Sequence, residues 1–96
     1  MTRVHVFVRG RVQGVGYRAW TADEAAARGL TGFVRNRRDG SVEALLVGDE
    51  TSVRAMIGAM RSGPPMARVD AIEEDTPASE VLRLAGDGRF EMLPTA

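Results

Sequence analysis

Gly32-Phe33-Val34-Arg35-Asn36-Arg37-Arg38-Asp39-Gly40-Ser41-Val42-Glu43-Ala44-Leu45-Leu46-Val47 holds two strand-like runs, 32–37 and 41–47, with a turn between them. Asp39-Gly40 is a strong hairpin signal, because the tight turns that match strand twist need residues tolerant of positive φ. A lone hairpin is marginal in water, so its apolar face needs a layer to pack against. Both flanks supply one. Upstream, Val4, Val6 and Val8 alternate through residues 3–9 and predict a strand. An alanine-rich stretch from about 17 to 28, ended by Gly29, predicts a helix with Ala19, Ala22 and Ala26 as its buried stripe. Thr21 and Glu24 have the spacing of a capping box, which would start that helix at residue 22.

Downstream, Val53, Met56, Ile57 and Met60 fall at helical spacing within a helix expected over 50–61. Gly63-Pro64-Pro65 closes it. Residues 68–75 alternate as another strand, with Val69, Ala71 and Ile72 expected toward the core. The final twenty residues carry weaker signals: Val81–Leu84 as a short strand or turn, Ala85–Gly88 as a turn, and Phe90–Leu93 as a weakly alternating segment. The order is β-α-β-β-α-β, a split β-α-β sandwich of α+β class with two helices on one face of an antiparallel sheet. A single domain over 1–96 is expected.

Composition narrows the function. The chain has 96 residues with thirteen basic and thirteen acidic side chains, and every basic one is arginine. Residues 1–38 hold eight arginines against Asp23 and Glu24, a balance of +6, and residues 39–96 balance at −6. The basic half suits attraction of a small anion, with most arginines expected at the surface as steering charges. Net zero charge, one histidine and no paired aromatic platform argue against a nucleic-acid surface. The absence of cysteine removes disulfides, thiol nucleophiles and thiolate metal sites. One histidine and scattered carboxylates suggest neither a metal nor a cofactor, and His5 reads as structural or exposed. No apolar run approaches the length of a membrane span, and Met1-Thr2-Arg3 enters the first strand without an apolar leader. A cytoplasmic monomer without a membrane partner is the expectation.

Two polar features bear on chemistry. Gly10-Arg11-Val12-Gln13-Gly14-Val15-Gly16-Tyr17-Arg18 joins a strand to a helix, the geometry in which free backbone N–H groups converge on an anion. Arginine is unwelcome at the positive end of a helix, so Arg18 makes sense there with an anion between it and the amides. The loop lacks the Gly-Lys-Ser/Thr ending of a nucleotide-binding loop and the acidic follow-up of a dinucleotide fingerprint, which leaves a small anion. The same residues fit a glycine-rich turn with a solvent-facing arginine. Asn36, late in a strand where asparagine is disfavoured, reads either as a hairpin-end residue or as one with a polar task.

Val8-x-Gly10-x-Val12-Gln13-Gly14-Val15-Gly16-Tyr17-Arg18 resembles the first signature of the acylphosphatases. Gly32-Phe33-Val34-Arg35-Asn36-x-x-x-Gly40-x-Val42, followed by Gly48, resembles their second, and Gly63-Pro64-Pro65-x-Ala67-Arg68-Val69 is similar to bacterial members. The resemblance implies a ferredoxin-like sandwich that hydrolyses the carboxyl-phosphate bond of acyl phosphates. It implies that Arg18 binds the phosphoryl group with the amides of Gln13, Gly14, Val15, Gly16, Tyr17 and Arg18, and that Asn36 holds the attacking water. It also implies a helix starting near Arg18. The competing reading is a non-catalytic module of the same fold that binds a small anion or RNA.

Overall fold

A computed structural model describes residues 1–86 and 88–96; Asp87, within the turn expected at 85–88, lies outside the described residues. The hairpin forms as β2 (Thr31–Asn36) and β3 (Val42–Gly48), paired antiparallel with Arg35 opposite Glu43 and Asn36 opposite Val42. β1 (Thr2–Arg11) runs antiparallel to β3 on its other side and to β4 (Arg68–Asp75) beyond. A short β5 (Phe90–Met92) lies parallel to β2, which completes the order β4-β1-β3-β2-β5. The split β-α-β sandwich is thus antiparallel except for this added edge strand.

Two helices, α1 (Tyr17–Ala27) and α2 (Glu50–Ser62), cover one sheet face. Val4, Val6 and Val8 of β1, Val34 of β2, and Val42, Ala44 and Leu46 of β3 share that face and are buried in one apolar cluster. They meet Val53, Met56, Ile57 and Met60 of α2, as their helical spacing requires. Asp49 caps α2, its Oδ1 accepting from the Ser52 amide at 2.9 Å.

The buried stripe of α1 is Tyr17, Thr21 and Ala25; Ala19 and Ala26 are exposed and Ala22 only half-buried. The stripe is set by the largest side chain. Once Tyr17 is the first helical residue and its ring is buried, residues 21 and 25 must follow it on the same face. Thr21 therefore sits mid-helix rather than capping, and Gly16 is the N-cap. In β4 the alternation also departs from a strict period of two. Asp70 is an extra residue between the pairs Gly10–Val69 and Arg9–Ala71, a β-bulge that flips the pleat. Val69 and Ile72 consequently pack against the same core while Ala71 is exposed.

The far face of the sheet is also buried at its centre. Phe33 and Leu45 are fully buried but belong to a layer separate from the helix-side cluster. β4 ends at one sheet edge and β5 begins at the other, so the chain between them has to cross this face. That crossing carries α3 (Ser79–Leu82), a single helical turn with Val81 and Leu82 half-buried, where sequence pattern suggests a strand or turn.

Candidate active site

β1 delivers the chain to the glycine loop, and α1 begins as soon as the loop ends. Gly14 and Gly16 take φ of 74° and 79°, the left-handed region that an L side chain resists. The first intrahelical bond of α1 is from the Trp20 amide to Gly16 O at 3.0 Å. The amides before Trp20 at the helix start therefore have no intrahelical acceptor, no side chain caps them, and the first turn holds no acid. Their partial positive charge is left facing outward.

Three contacts hold this loop in place. The Gln13 carboxamide donates both its hydrogens across to the hairpin, to Arg37 O at 2.7 Å and Ser41 O at 2.8 Å. Tyr17 donates its hydroxyl to Met60 O at 2.6 Å, which pins the start of α1 to the end of α2. Burial pushes that phenol well above its ordinary pKa, so it stays a neutral donor. Arg18 Nη1 approaches Leu93 O at 3.5 Å, so the strand-end after β5 supports the guanidinium. Among the described residues Arg18 has no carboxylate partner within ion-pair distance, unlike Arg9, Arg28, Arg35, Arg37 and Arg54.

Asn36 sits at the end of β2. Its neighbours Arg35 and Arg37 turn to the far face, where both donate to Glu43 Oε1, at 2.7 and 2.9 Å. Strand alternation then sends the Asn36 side chain to the near face, beside α1. Its Oδ1 is buried with no hydrogen-bond partner. The Asn36 backbone carbonyl is occupied by the Ala96 amide at 3.0 Å, and the Arg38 amide donates to Ala96 O at 3.1 Å. The stretch after β5 thus continues alongside β2 as far as the hairpin.

These elements enclose a cleft of about 390 Å³ lined by Val12, Gln13, Gly14, Gly16, Tyr17, Arg18, Ala19, Asn36 and Met92. Gln13, Gly14, Gly16, Tyr17, Arg18 and Asn36 of the expected set come together there. Val15 does not line it; its side chain packs against the apolar core. Met92 and the Leu93 carbonyl were not legible as site groups, because β5 carries only a faint alternation and nothing local points its residues at Arg18. Among the described residues no three imidazole, thiol or carboxylate groups converge as metal ligands.

His5 lies on the far face, away from the cleft. Its Nε2 is 2.7 Å from Glu43 Oε2, and it is buried, as a structural histidine would be. Glu43 itself carries no sequence signal of importance, yet it is the buried acceptor for His5, Arg35 and Arg37. Desolvation pulls its carboxyl upward, but the hydrogen bonds from Arg35, His5 and Arg37 more than offset this and hold it below the usual carboxylate range.

Comparison with known proteins identifies the family. A family model for acylphosphatases matches residues 4–91. An acylphosphatase of Rhodopseudomonas palustris BisB5 is 60% identical over 92 residues, covering 94% of this chain and 92% of its own. That of Bradyrhizobium diazoefficiens is 52% identical over 93 residues, covering 96% and 94%. The crystal structure of acylphosphatase from Bacillus subtilis superposes with a TM-score of 0.81 at 35% identity, covering 97% of this chain and 99% of that one. With the family model and these relatives matching along nearly its whole length, the chain belongs to the acylphosphatase family.

Proposed function

We propose that Arg18 and the amides of residues 13–18 bind the phosphoryl group of an acyl phosphate, and that Asn36 orients the water that attacks it. The enzyme is an acylphosphatase and its substrate a small acyl phosphate; the assignment of these residues is our reading. The observation that carries it is the orphaned Asn36 Oδ1, buried at the same cleft that Arg18 lines. A buried acceptor without a partner costs free energy unless something donates to it, and water does so with a lone pair free to point at phosphorus.

The chemistry asks little more. A carboxylate is already a good leaving group, so no strong general acid is needed. Water oxygen bonds to phosphorus as the phosphorus–acyl oxygen bond breaks, and the bonding pair leaves with the carboxylate. The water proton passes to a phosphoryl oxygen, because an amide is no base. What the protein supplies is position and preorganised positive charge: Arg18 with a fork that fits two oxygens, and amides fixed before substrate arrives. This reading gives no step to a metal or cofactor. It takes residues 1–96 as one acylphosphatase-like domain acting as a cytoplasmic monomer without a nucleic-acid partner.

The test is the rate at which the purified protein, in the presence of a chelator, consumes an aromatic acyl phosphate. Arg18→Ala is expected to lower kcat/KM by at least about a hundredfold and to abolish competitive inhibition by inorganic phosphate. Asn36→Ala is expected to lower kcat to a similar degree, about a hundredfold, while phosphate inhibition persists. An Asn36→Ala enzyme as fast as wild type ends the water-orienting role.

A further inference from the structure

Four large apolar side chains stand out as exposed among the described residues: Met1, Met66, Leu84 and Met92. Of these, Met92 alone lines the cleft of Arg18 and Asn36, and it is 52% exposed. Its position follows from β5. Phe90 and Met92 are two residues apart and share a face of the strand; Phe90 packs against the apolar cluster under the helices. Met92 extends that same apolar surface past the edge of the core, to the mouth of the cleft. The carbonyl that supports the Arg18 guanidinium belongs to the next residue, Leu93. Met92 is thus the chain neighbour of the residue whose carbonyl supports Arg18, and Met92 and Arg18 line the same cleft.

We propose that Met92 selects among acyl groups: it forms an apolar shelf for the acyl half of the substrate, so that acyl phosphates with an aryl or long alkyl chain are preferred over those with a single methyl. This rests on the reading of Arg18 as the phosphoryl-binding residue and adds the substrate class. A phosphoryl group held by Arg18 must leave its acyl substituent pointing out of a shallow cleft. Met92 and Ala19 are the exposed apolar side chains that line that cleft. An aryl ring laid on Met92 removes apolar surface of both partners from water, and the unbranched thioether adapts to such a ring. A methyl group is too short to reach it and gains nothing.

The experiment compares kcat/KM for benzoyl phosphate and acetyl phosphate in the wild type, Met92→Ala and Met92→Leu, with inorganic phosphate inhibition measured on each. Met92→Ala is expected to reduce the benzoyl-to-acetyl ratio about fivefold, with Met92→Leu restoring most of it and phosphate inhibition unchanged. An unchanged ratio in Met92→Ala overturns the proposal. So does an equal fall for both substrates accompanied by weaker phosphate inhibition, which would make Met92 a prop for β5 and Arg18 only. Failure of the underlying site reading looks different: Arg18→Ala would then keep both its activity and its phosphate inhibition, whatever Met92 does.

Discussion

Replacing Glu43 by glutamine removes one charge and almost no volume from the far face of the sheet. Glu43 is 1% exposed and accepts from His5 at 2.7 Å, Arg35 at 2.7 Å and Arg37 at 2.9 Å. In Glu43→Gln the guanidinium groups face a neutral amide whose NH2 end can only donate, so one of the three interactions is reversed outright. Breaking a buried charge pair from one side costs about 3–5 kcal/mol when the other charge stays trapped. Here the arginines are not fully trapped, since the Arg35 and Arg37 side chains are 18% and 37% exposed and can turn toward water. The expected loss is therefore smaller, about 2–3 kcal/mol. For a domain of this size that lowers Tm by roughly 10–20 °C. The pH dependence has a definite sign. Glu43 has a depressed pKa in the folded protein, so its contribution is complete above the ordinary carboxylate value and is lost as pH falls through the depressed one. Urea unfolding at a series of pH values should show the wild type and Glu43→Gln well separated at neutral pH and converging below about pH 4. A separation under about 0.5 kcal/mol at neutral pH, or one that persists undiminished in acid, would refute the assignment of Glu43 as the charged anchor of this face.

Two further substitutions test how the site is braced. Tyr17→Phe leaves Met60 O without its 2.6 Å donor and should cost about 1–2 kcal/mol in urea unfolding, with a smaller loss of activity; an unaffected midpoint would mean that water replaces the phenol. Gly32→Ala drives a Cβ into Leu45 O at a φ of 124°, where the second residue of β2 passes β3. It should destabilise by more than about 3 kcal/mol, enough that circular dichroism at 37 °C reports a largely unfolded chain, and a stable Gly32→Ala protein would show that β2 can shift against β3.

The sequence was most legible where one face of an element is wet and the other dry. Val4, Val6 and Val8 alternate because β1 has two unlike faces, and the stripe of α2 holds because its outer face is solvated. Ala44-Leu45-Leu46 gave no such contrast: Ala44 and Leu46 belong to the cluster under the helices, while Leu45 is just as buried on the other side. In α1 alanine misled, being small enough to sit anywhere on a helix, whereas one tyrosine fixed its rotation. The bulge at Asp70 was invisible because it depends on the pairing of β4 with β1. Of the site, Arg18, Asn36 and the loop were legible because two motifs bring them together. The bracing by Gln13, Leu93 and Glu43 was not, since each is a contact across at least 6 residues with no local signature.

The two-sided charge count has a structural explanation that the count itself did not contain. Much of the excess positive charge of residues 1–38 is spent within the fold on carboxylates of the second half. Arg9 meets Glu73 and Asp39, and Arg35 and Arg37 meet Glu43. These arginines are therefore less available as a steering field than their number suggests, because the three of them and their three carboxylates together carry no net charge beyond a Debye length. Arg18 is different: it has a backbone carbonyl for support and no carboxylate beside it among the described residues. An arginine paired to an acid must break that pair before it can take a phosphate, at a cost that would subtract from binding. Placing Arg18 against a carbonyl instead orients the guanidinium while leaving its charge uncompensated. Strand alternation sends Arg35 and Arg37 to the far face, where Glu43 holds both, and turns Asn36 toward the cleft, so neither of those two cations competes with Arg18 for an anion there.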